Sequence, residues 1–490
     1  MRLITDWIRA RRADDRKQVR MKLARRPGDR VLHVSRHRPE HIQVRPHVLP
    51  RAKLSPPLVL ASGFAVLIAF GSVLLALPWS TANGEWAPPL TALFTAASAV
   101  CITGLVVVDT GTYFSSFGHV IILLLIQIGG LGFMSTATLL LLAVGRRVSL
   151  RERIVAQEAL GAGGPGSVLR LIRRVALFSF ATEAIGALLL FPVFRQDHPN
   201  LQAAWVSLFH SVSAFNNAGF DILGDFRSLT AYSGSAYLLL VVASLIILGG
   251  LSYFVVEEVA QRRSFTRLSL NARLVLLLSA VLWVLGALAV LAGEMTNPNT
   301  LGPLAWPDKV VNAFFLSVTA RSCGFSAVPT DGLAADTLIV IAGLMFIGGA
   351  SASTAGGIKV NSLAALAISI VSTARGRPFP QAFRRTVPQQ VVNRALVVTV
   401  VSLMVLYSLL IAFSVFENRP FLPLLFDAVS AVGTVGLSTG IIPDLSPASQ
   451  VTVIITMYFG RVGPLTIVLA LIGRARPPRV RYADDTVRIG

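Results

Sequence analysis

LFTAASAVCITGLVVVDT (93–110), LFHSVSAFNNAGFDILGD (208–225), AFFLSVTARSCGFSAVPT (313–330) and LFDAVSAVGTVGLSTGII (425–442) are four versions of one pattern. In each, a phenylalanine precedes a glycine by ten residues: Phe94 to Gly104, Phe209 to Gly219, Phe314 to Gly324, Phe426 to Gly436. An apolar residue follows every glycine, and the glycines recur about every 105 to 115 residues. A fixed-period repeat of this kind marks a supersecondary unit used several times over. The apolar part of each segment falls short of the roughly 20 residues that a helix needs to cross a bilayer. It reads as a half-helix that enters and turns back.

Longer apolar runs flank these segments. Candidate spans cover 57–78, 116–144, 168–194, 234–260, 271–292, 336–372, 393–416 and 447–473. With 54% hydrophobic and 14% charged residues, the composition excludes an ordinary soluble domain. The predicted fold is an all-α membrane protein. Four tandem units of span, pore half-helix and span supply eight transmembrane helices and four half-helices around one central pore, as in a potassium channel. The units are placed at 56–145, 168–261, 270–373 and 392–473, between a basic tail at 1–55 and a C-terminal tail at 474–490.

A net charge of +20 would suit a nucleic-acid binder, but the basic residues flank the spans. Arg146 to Arg174, Arg262 to Arg273, Arg375 to Arg394 and Arg474 to Arg481 fall on one side, with both tails. By the positive-inside rule that side is cytoplasmic, which predicts a multi-pass protein of the inner (plasma) membrane with lipid as its surroundings and no nucleic acid as partner. The first 55 residues hold no signal-peptide core and read as a cytoplasmic tail. Acids such as Asp109, Asp221, Asp427 and Asp444 collect on the other side, where they would concentrate cations at a pore mouth.

Non-helical backbone at membrane depth is tolerated only where it is buried in protein or lines a water-filled path. Four such loops in one chain make a ring, and a ring of backbone carbonyls can replace the hydration shell of a cation. Glycine suits it, reaching backbone conformations closed to other residues. The half-helices would point the negative ends of their dipoles at the ion. Cys101 and Cys323 read as small packing residues, no metal-ligand or cofactor constellation appears, and no enzyme is expected.

The sixth span is interrupted by GGASASTAGG, Gly348 to Gly357. Its small and polar residues, Gly348, Gly349, Ser351, Ser353, Thr354, Gly356 and Gly357 among them, make a poor helix and predict a flexible intramembrane loop. Lys359 and Arg461 are charges within or at the edge of spans, which is a functional signal in a membrane. Arg321 reads as a structural partner for pore-helix carbonyls or for an acid such as Asp427. Glu183 is the one acid inside a regular span, a candidate ion site or a polar packing group. His210 is expected to be hydrogen-bonded near the second half-helix.

The arrangement resembles the Trk/Ktr/HKT superfamily of potassium transporters. The runs TGLVVVDTGTYFSSFG (103–118), IQIGGLGFMS (126–135), GGASASTAGGIKV (348–360) and FGRVGPLT (459–466) are similar to those of its Ktr-type membrane subunit. The resemblance covers about 55 to 473, and the lack of two further N-terminal spans favours the Ktr type. It implies a filter of Thr103 with Gly104, Ala218 with Gly219, Cys323 with Gly324, and Val435 with Gly436. It implies that the loop 348–357 is a gate below that filter and that Arg461 faces the pore and contacts the gate. It further implies a homodimer and a cytosolic ring of nucleotide-binding regulatory subunits. The metal concerned is potassium at the filter, as transported ion; sodium is the second candidate, though serine rather than Gly104 goes with sodium in some relatives. The alternative function is a secondary symporter coupling potassium to sodium or protons, with Glu183 as its one midplane acid.

Overall fold

The computed structural model describes residues 56–132 and 168–463. Both tails, the remainder of the second span (133–144), the basic stretch 146–153 and the end of the eighth span (464–473) lie outside the described residues. Apart from a hairpin of two-residue strands, the regular structure is helical.

Four long helices, α1 (Pro56–Ala76), α5 (Val168–Phe194), α9 (Leu270–Glu294) and α13 (Gln389–Phe416), are apolar over most of their length. Each meets the length and composition needed to cross a bilayer. Side chains such as Phe70, Leu188, Leu288 and Tyr407 stay exposed along them, as expected of helices solvated by lipid.

A short helix follows each long one: α2 (Pro89–Val100), α6 (Asn200–Phe215), α10 (Trp306–Thr319) and α14 (Phe421–Gly433). Every one begins at a proline, namely Pro88 and Pro89, Pro199, Pro307, and Pro420. Proline is pre-set for the first helical turn and lacks only a donor that the helix end leaves unpaired anyway. Phe94, Phe209 and Phe426 are fully buried. In the third unit the aligned Phe314 is partly exposed and its neighbour Phe315 takes the core position.

After each short helix comes a second one: α4 (Ser116–Leu131), α7 (Ala236–Gly250), α11 (Ala335–Met345) and α15 (Pro447–Val462), with the four-residue α3 (Thr110–Tyr113) preceding α4. Helix α4 packs on α6 of the next unit, α7 on α10, α11 on α14, and α15 back on α2. The fourth unit thereby meets the first, and the arrangement closes on itself.

The second helices are shorter than the first. Among the described residues four helices are long and apolar enough to cross a bilayer, or five with a bent pair, while two of the eight expected spans, 116–144 and 447–473, continue beyond the described residues. Span 234–260 is bent: α7 is followed by α8 (Tyr253–Arg262) at 98°. Span 336–372 is two helices, α11 and α12 (Val360–Ala374), joined by an irregular stretch. Helices α4 and α15 end at Gly132 (φ 83°, ψ 137°) and Gly463 (φ 91°, ψ 138°), and Ser252 holds nearly the same angles (φ 72°, ψ 133°). These conformations are incompatible with a continuing right-handed helix.

The breaks share a register: Gly129-Gly-Leu-Gly132, Gly249-Gly-Leu-Ser252, Gly348-Gly-Ala-Ser351 and Gly460-Arg-Val-Gly463. The first glycine of three of these lets two backbones touch. A methyl on Gly129, Gly249 or Gly460 would run into the carbonyl oxygen of Val100, Phe215 or Val432, each near the end of a short helix. In lipid such close approach replaces apolar transfer as the source of helix association.

Candidate functional site

The loops that follow the four short helices meet one another. Two residues before each conserved-interval glycine the backbone turns left-handed: Ile102 (φ 51°), Asn217 (φ 58°), Ser322 (φ 100°) and Thr434 (φ 49°). The glycines are left-handed too, Gly104 (φ 85°), Gly219 (φ 69°), Gly324 (φ 91°) and Gly436 (φ 100°), while the residue between is not. A strand of uniform φ sends successive carbonyls to opposite sides. Alternating its hand turns them to one side.

These loops form a ring in chain order. A methyl added to Gly104 would overlap the Ala218 carbonyl oxygen; on Gly219, that of Cys323; on Gly324, that of Val435; on Gly436, that of Thr103. Each glycine is thus seated against the carbonyl preceding the next glycine, and the fourth contact returns to the first loop. Thr103, Ala218, Cys323 and Val435 are wholly buried. Three of them are tied back by their N–H groups: Thr103 to the Ser98 carbonyl at 2.8 Å, Ala218 to Ser213 at 2.8 Å, and Val435 to Ser430 at 2.9 Å. The third loop differs, its Cys323 N–H reaching the Thr319 carbonyl at 3.0 Å.

On one side of the ring lies a cavity of about 400 Å³ that touches all four glycines, with Asp109, Asp221 and Asp444 in its wall. Asp109 caps α3 through the Thr112 N–H at 3.1 Å and also accepts from the Asp225 N–H at 3.1 Å, which fixes the first loop to the second. Arg419 pairs with Asp444 at 3.4 Å and Arg227 with Asp225 at 2.9 Å. A concave wall of carboxylates gathers cations.

Residues 346–359 pack against the turns that precede the ring glycines. Asn217 Nδ2 donates to Thr354 Oγ1 at 2.7 Å, and the Gly356 N–H donates to Ser322 Oγ at 2.9 Å. A methyl on Gly356 would overlap Thr434 Oγ1, and one on Gly357 would lie 2.9 Å from the Gly433 carbonyl oxygen. The stretch therefore touches three of the four left-handed turns. Its N–H groups at Ala350 and Thr354 bond the Gly250 and Gly249 carbonyls at 2.9 and 3.3 Å, and that of Gly348 bonds Ile358 at 2.8 Å. Gly349 contacts the Gly250 carbonyl at 2.7 Å from its added-methyl position, and Ser353 Oγ donates to the Ala350 carbonyl at 2.7 Å. Ser351 is exposed and its N–H donates to Asn361 at 2.8 Å. Within 348–357, the loop expected to be flexible, the N–H groups of Gly348, Ala350, Ser351, Thr354 and Gly356 bond to protein.

Arg461 donates to the Thr354 carbonyl at 2.6 Å and to that of Gly129. Lys359, at the start of α12, donates to the Ala355 carbonyl at 2.5 Å. Both line an inner cavity of about 290 Å³ with Thr354 and Ala355. Arg321 corrects an expectation: it donates to the Gly348 carbonyl at 3.0 Å and its guanidinium lies 5.4 Å from the Trp283 ring, while Asp427 accepts from Thr439 Oγ1 at 2.7 Å. It secures the start of the inner stretch. His210 Nδ1 lies 2.8 Å from the Val206 carbonyl of its own helix.

Sequence reasoning missed Asn217 and Ser322, whose side chains join ring to inner stretch. It also missed the buried set in which Asn216 Nδ2 donates to Glu183 at 2.9 Å and to Gln127 at 3.1 Å. The position two residues before each glycine was the available signal, but Ile, Asn, Ser and Thr share no chemistry there.

The family model described as "TrkH: Cation transport protein" matches residues 51–475. The Ktr system potassium uptake protein B of Bacillus subtilis is 39% identical over 444 residues, 90% of this chain and 98% of that protein. The potassium/sodium uptake protein NtpJ of Enterococcus hirae is 37% identical over 446 residues, 90% and 98% of the two chains. The crystal structure of the potassium transporter TrkH from Vibrio parahaemolyticus superposes with a TM-score of 0.69 at 17% identity, covering 87% of this chain and 86% of that one.

Proposed function

Because the chain belongs to the TrkH family of cation transport proteins, we propose that it carries potassium across the cell membrane through the ring of backbone carbonyls closed by Gly104, Gly219, Gly324 and Gly436. The observation that carries this reading is the cyclic seating of each glycine on the next loop's carbonyl. Thr103, Ala218, Cys323 and Val435 contribute the carbonyls, and the four short helices act as pore half-helices whose C-terminal dipoles favour a cation. Potassium sheds its hydration shell on entering from the acidic cavity, which takes the outer side. The stretch 346–359 is the gate. Arg461, Asn217 and Ser322 hold it below the ring, and a change at the inner end of α12 shifts the population of that docked state.

The basic ends of the spans support a cell-membrane protein with both termini in the cytoplasm. By the Ktr-type resemblance we extend the proposal to a dimer of this chain on a cytosolic nucleotide-binding ring. A symport reading draws on Glu183, buried against Asn216 within the membrane region.

The test is flux in liposomes holding the purified full chain. Rubidium and potassium should enter at least roughly tenfold faster than sodium at equal driving force, a difference of ~1.4 kcal/mol. Equal fluxes of both ions would sink the potassium reading, and uptake driven by a proton gradient alone would favour symport.

A further inference from the structure

We propose that the hairpin after α12 is a binding site for the phosphate headgroup of an anionic phospholipid. The strands β1 (Gln381–Ala382) and β2 (Arg385–Thr386) pair through a two-residue turn in which Phe383 (φ 49°) and Arg384 (φ 61°) are both left-handed. Such a turn matches the twist of its strands and holds the hairpin in one shape. Ser372 anchors it to α12, its carbonyl accepting from the Arg377 N–H at 2.9 Å and its Oγ from the Gln381 N–H at 3.1 Å.

Arg375, Arg377 and Arg384 line a cavity of about 560 Å³ at this hairpin, with Gln381 and Phe383. No Asp or Glu occurs anywhere between Asp336 and Glu417. Among the described residues none of these three guanidinium groups is in an ion pair. Three cations around one cavity without a carboxylate repel one another and gain from a shared anion. Guanidinium presents a planar fork of donors that matches phosphate oxygens.

The surroundings point to a lipid rather than a soluble anion. Phe379, Phe383 and Phe265 are 60%, 41% and 45% exposed, and the rings of Phe265 and Phe383 meet edge to face at 6.3 Å. The Arg273 guanidinium lies 6.0 and 5.7 Å from those two rings. Helix α13, long and apolar enough to cross a bilayer, begins at Gln389, three residues past the second strand. Arginine beside exposed aromatic rings at the end of a crossing helix is the chemistry of a headgroup layer. The proposal rests on the membrane reading above.

The experiment is native mass spectrometry of the delipidated full chain titrated with phosphatidylglycerol, phosphatidylcholine or glycerol 1-phosphate. Phosphatidylglycerol should bind and phosphatidylcholine should not at the same concentration. Arg375→Gln/Arg377→Gln/Arg384→Gln should weaken that binding roughly a hundredfold, and Arg384→Gln alone, which alters only an exposed turn, about fivefold. Removing as many charges by Arg170→Gln/Arg173→Gln/Arg174→Gln should leave it intact. The proposal is overturned if the hairpin triple variant binds phosphatidylglycerol like the parent, or if glycerol 1-phosphate binds as tightly as the lipid. It is also overturned if the variant loses a soluble acidic partner while its lipid binding is unchanged. Rubidium flux on the same preparations separates the two readings, since absent flux with intact lipid binding counts against transport and not against the headgroup site.

Discussion

Asn217 Nδ2 donates to Thr354 Oγ1 at 2.7 Å, a single buried hydrogen bond that joins the second loop of the ring to the stretch lying beneath it. If that stretch gates the path, the docked state leans on this bond. Asn217→Ala and Thr354→Val should each raise basal rubidium flux, by up to about fivefold for a bond of net worth ~1 kcal/mol. The double variant should rise no further than either single one. Strictly additive effects in liposome flux would show that the two residues act separately.

Gly104 has no room for a side chain, because the Ala218 carbonyl occupies the place of a Cβ and its φ is 85°. Gly104→Ser and Gly436→Ser should therefore push a neighbouring carbonyl out of line. Potassium over sodium discrimination should drop by roughly tenfold, ~1.4 kcal/mol, measured by competitive uptake. Retained discrimination in both variants, with folding verified, would remove these loops from the ion path.

Deleting Ser351 to Ala355 takes away Thr354 and with it contacts to Asn217, Gly249 and Arg461. Basal flux should rise and stop responding to any regulatory subunit, while selectivity persists. Arg461→Ala, which leaves the Thr354 and Gly129 carbonyls without that donor, should do the same more mildly. Unchanged or lower basal flux in the deletion would refute the gating role.

Glu417 sits where α13 ends and accepts from the Ser446 N–H and Oγ, both at 2.8 Å, just ahead of α15. Desolvation alone would raise its pKa, but hydrogen bonds from Ser449 and Ser446 and the charge of Arg419 hold it below the ordinary carboxylate value. A group with a lowered folded pKa stabilises fully above its unfolded pKa of about 4.3 and loses that contribution as pH falls through the folded value. Glu417→Gln should accordingly lower the melting temperature at pH 7 and converge on the parent in acid. A difference that stays constant down to pH 3 would assign the effect to packing instead.

The glycine ring was legible because its requirement is stringent: one residue type at one interval, four times over. The turns two residues earlier were not, since ring closure imposes the left-handed backbone on Ile102, Asn217, Ser322 and Thr434 alike. The breaks at Gly132, Ser252 and Gly463 stand in register in the sequence, yet hydropathy passes over them because glycine and leucine together still look apolar. The pairing of Arg321 with Gly348 depends on how α10 meets the stretch after α11, which no local pattern encodes.

The four loops of the ring are unequal: Thr103, Ala218, Cys323 and Val435 hold equivalent places. In an assembly of four identical chains one codon change would alter all quadrants together. Here a mutation touches one quadrant and leaves three as they were. If the ring sets ion preference as proposed, evolution can adjust it in quarter steps, and a harmful change in one loop can be met by a compensating change in its neighbour within the same gene.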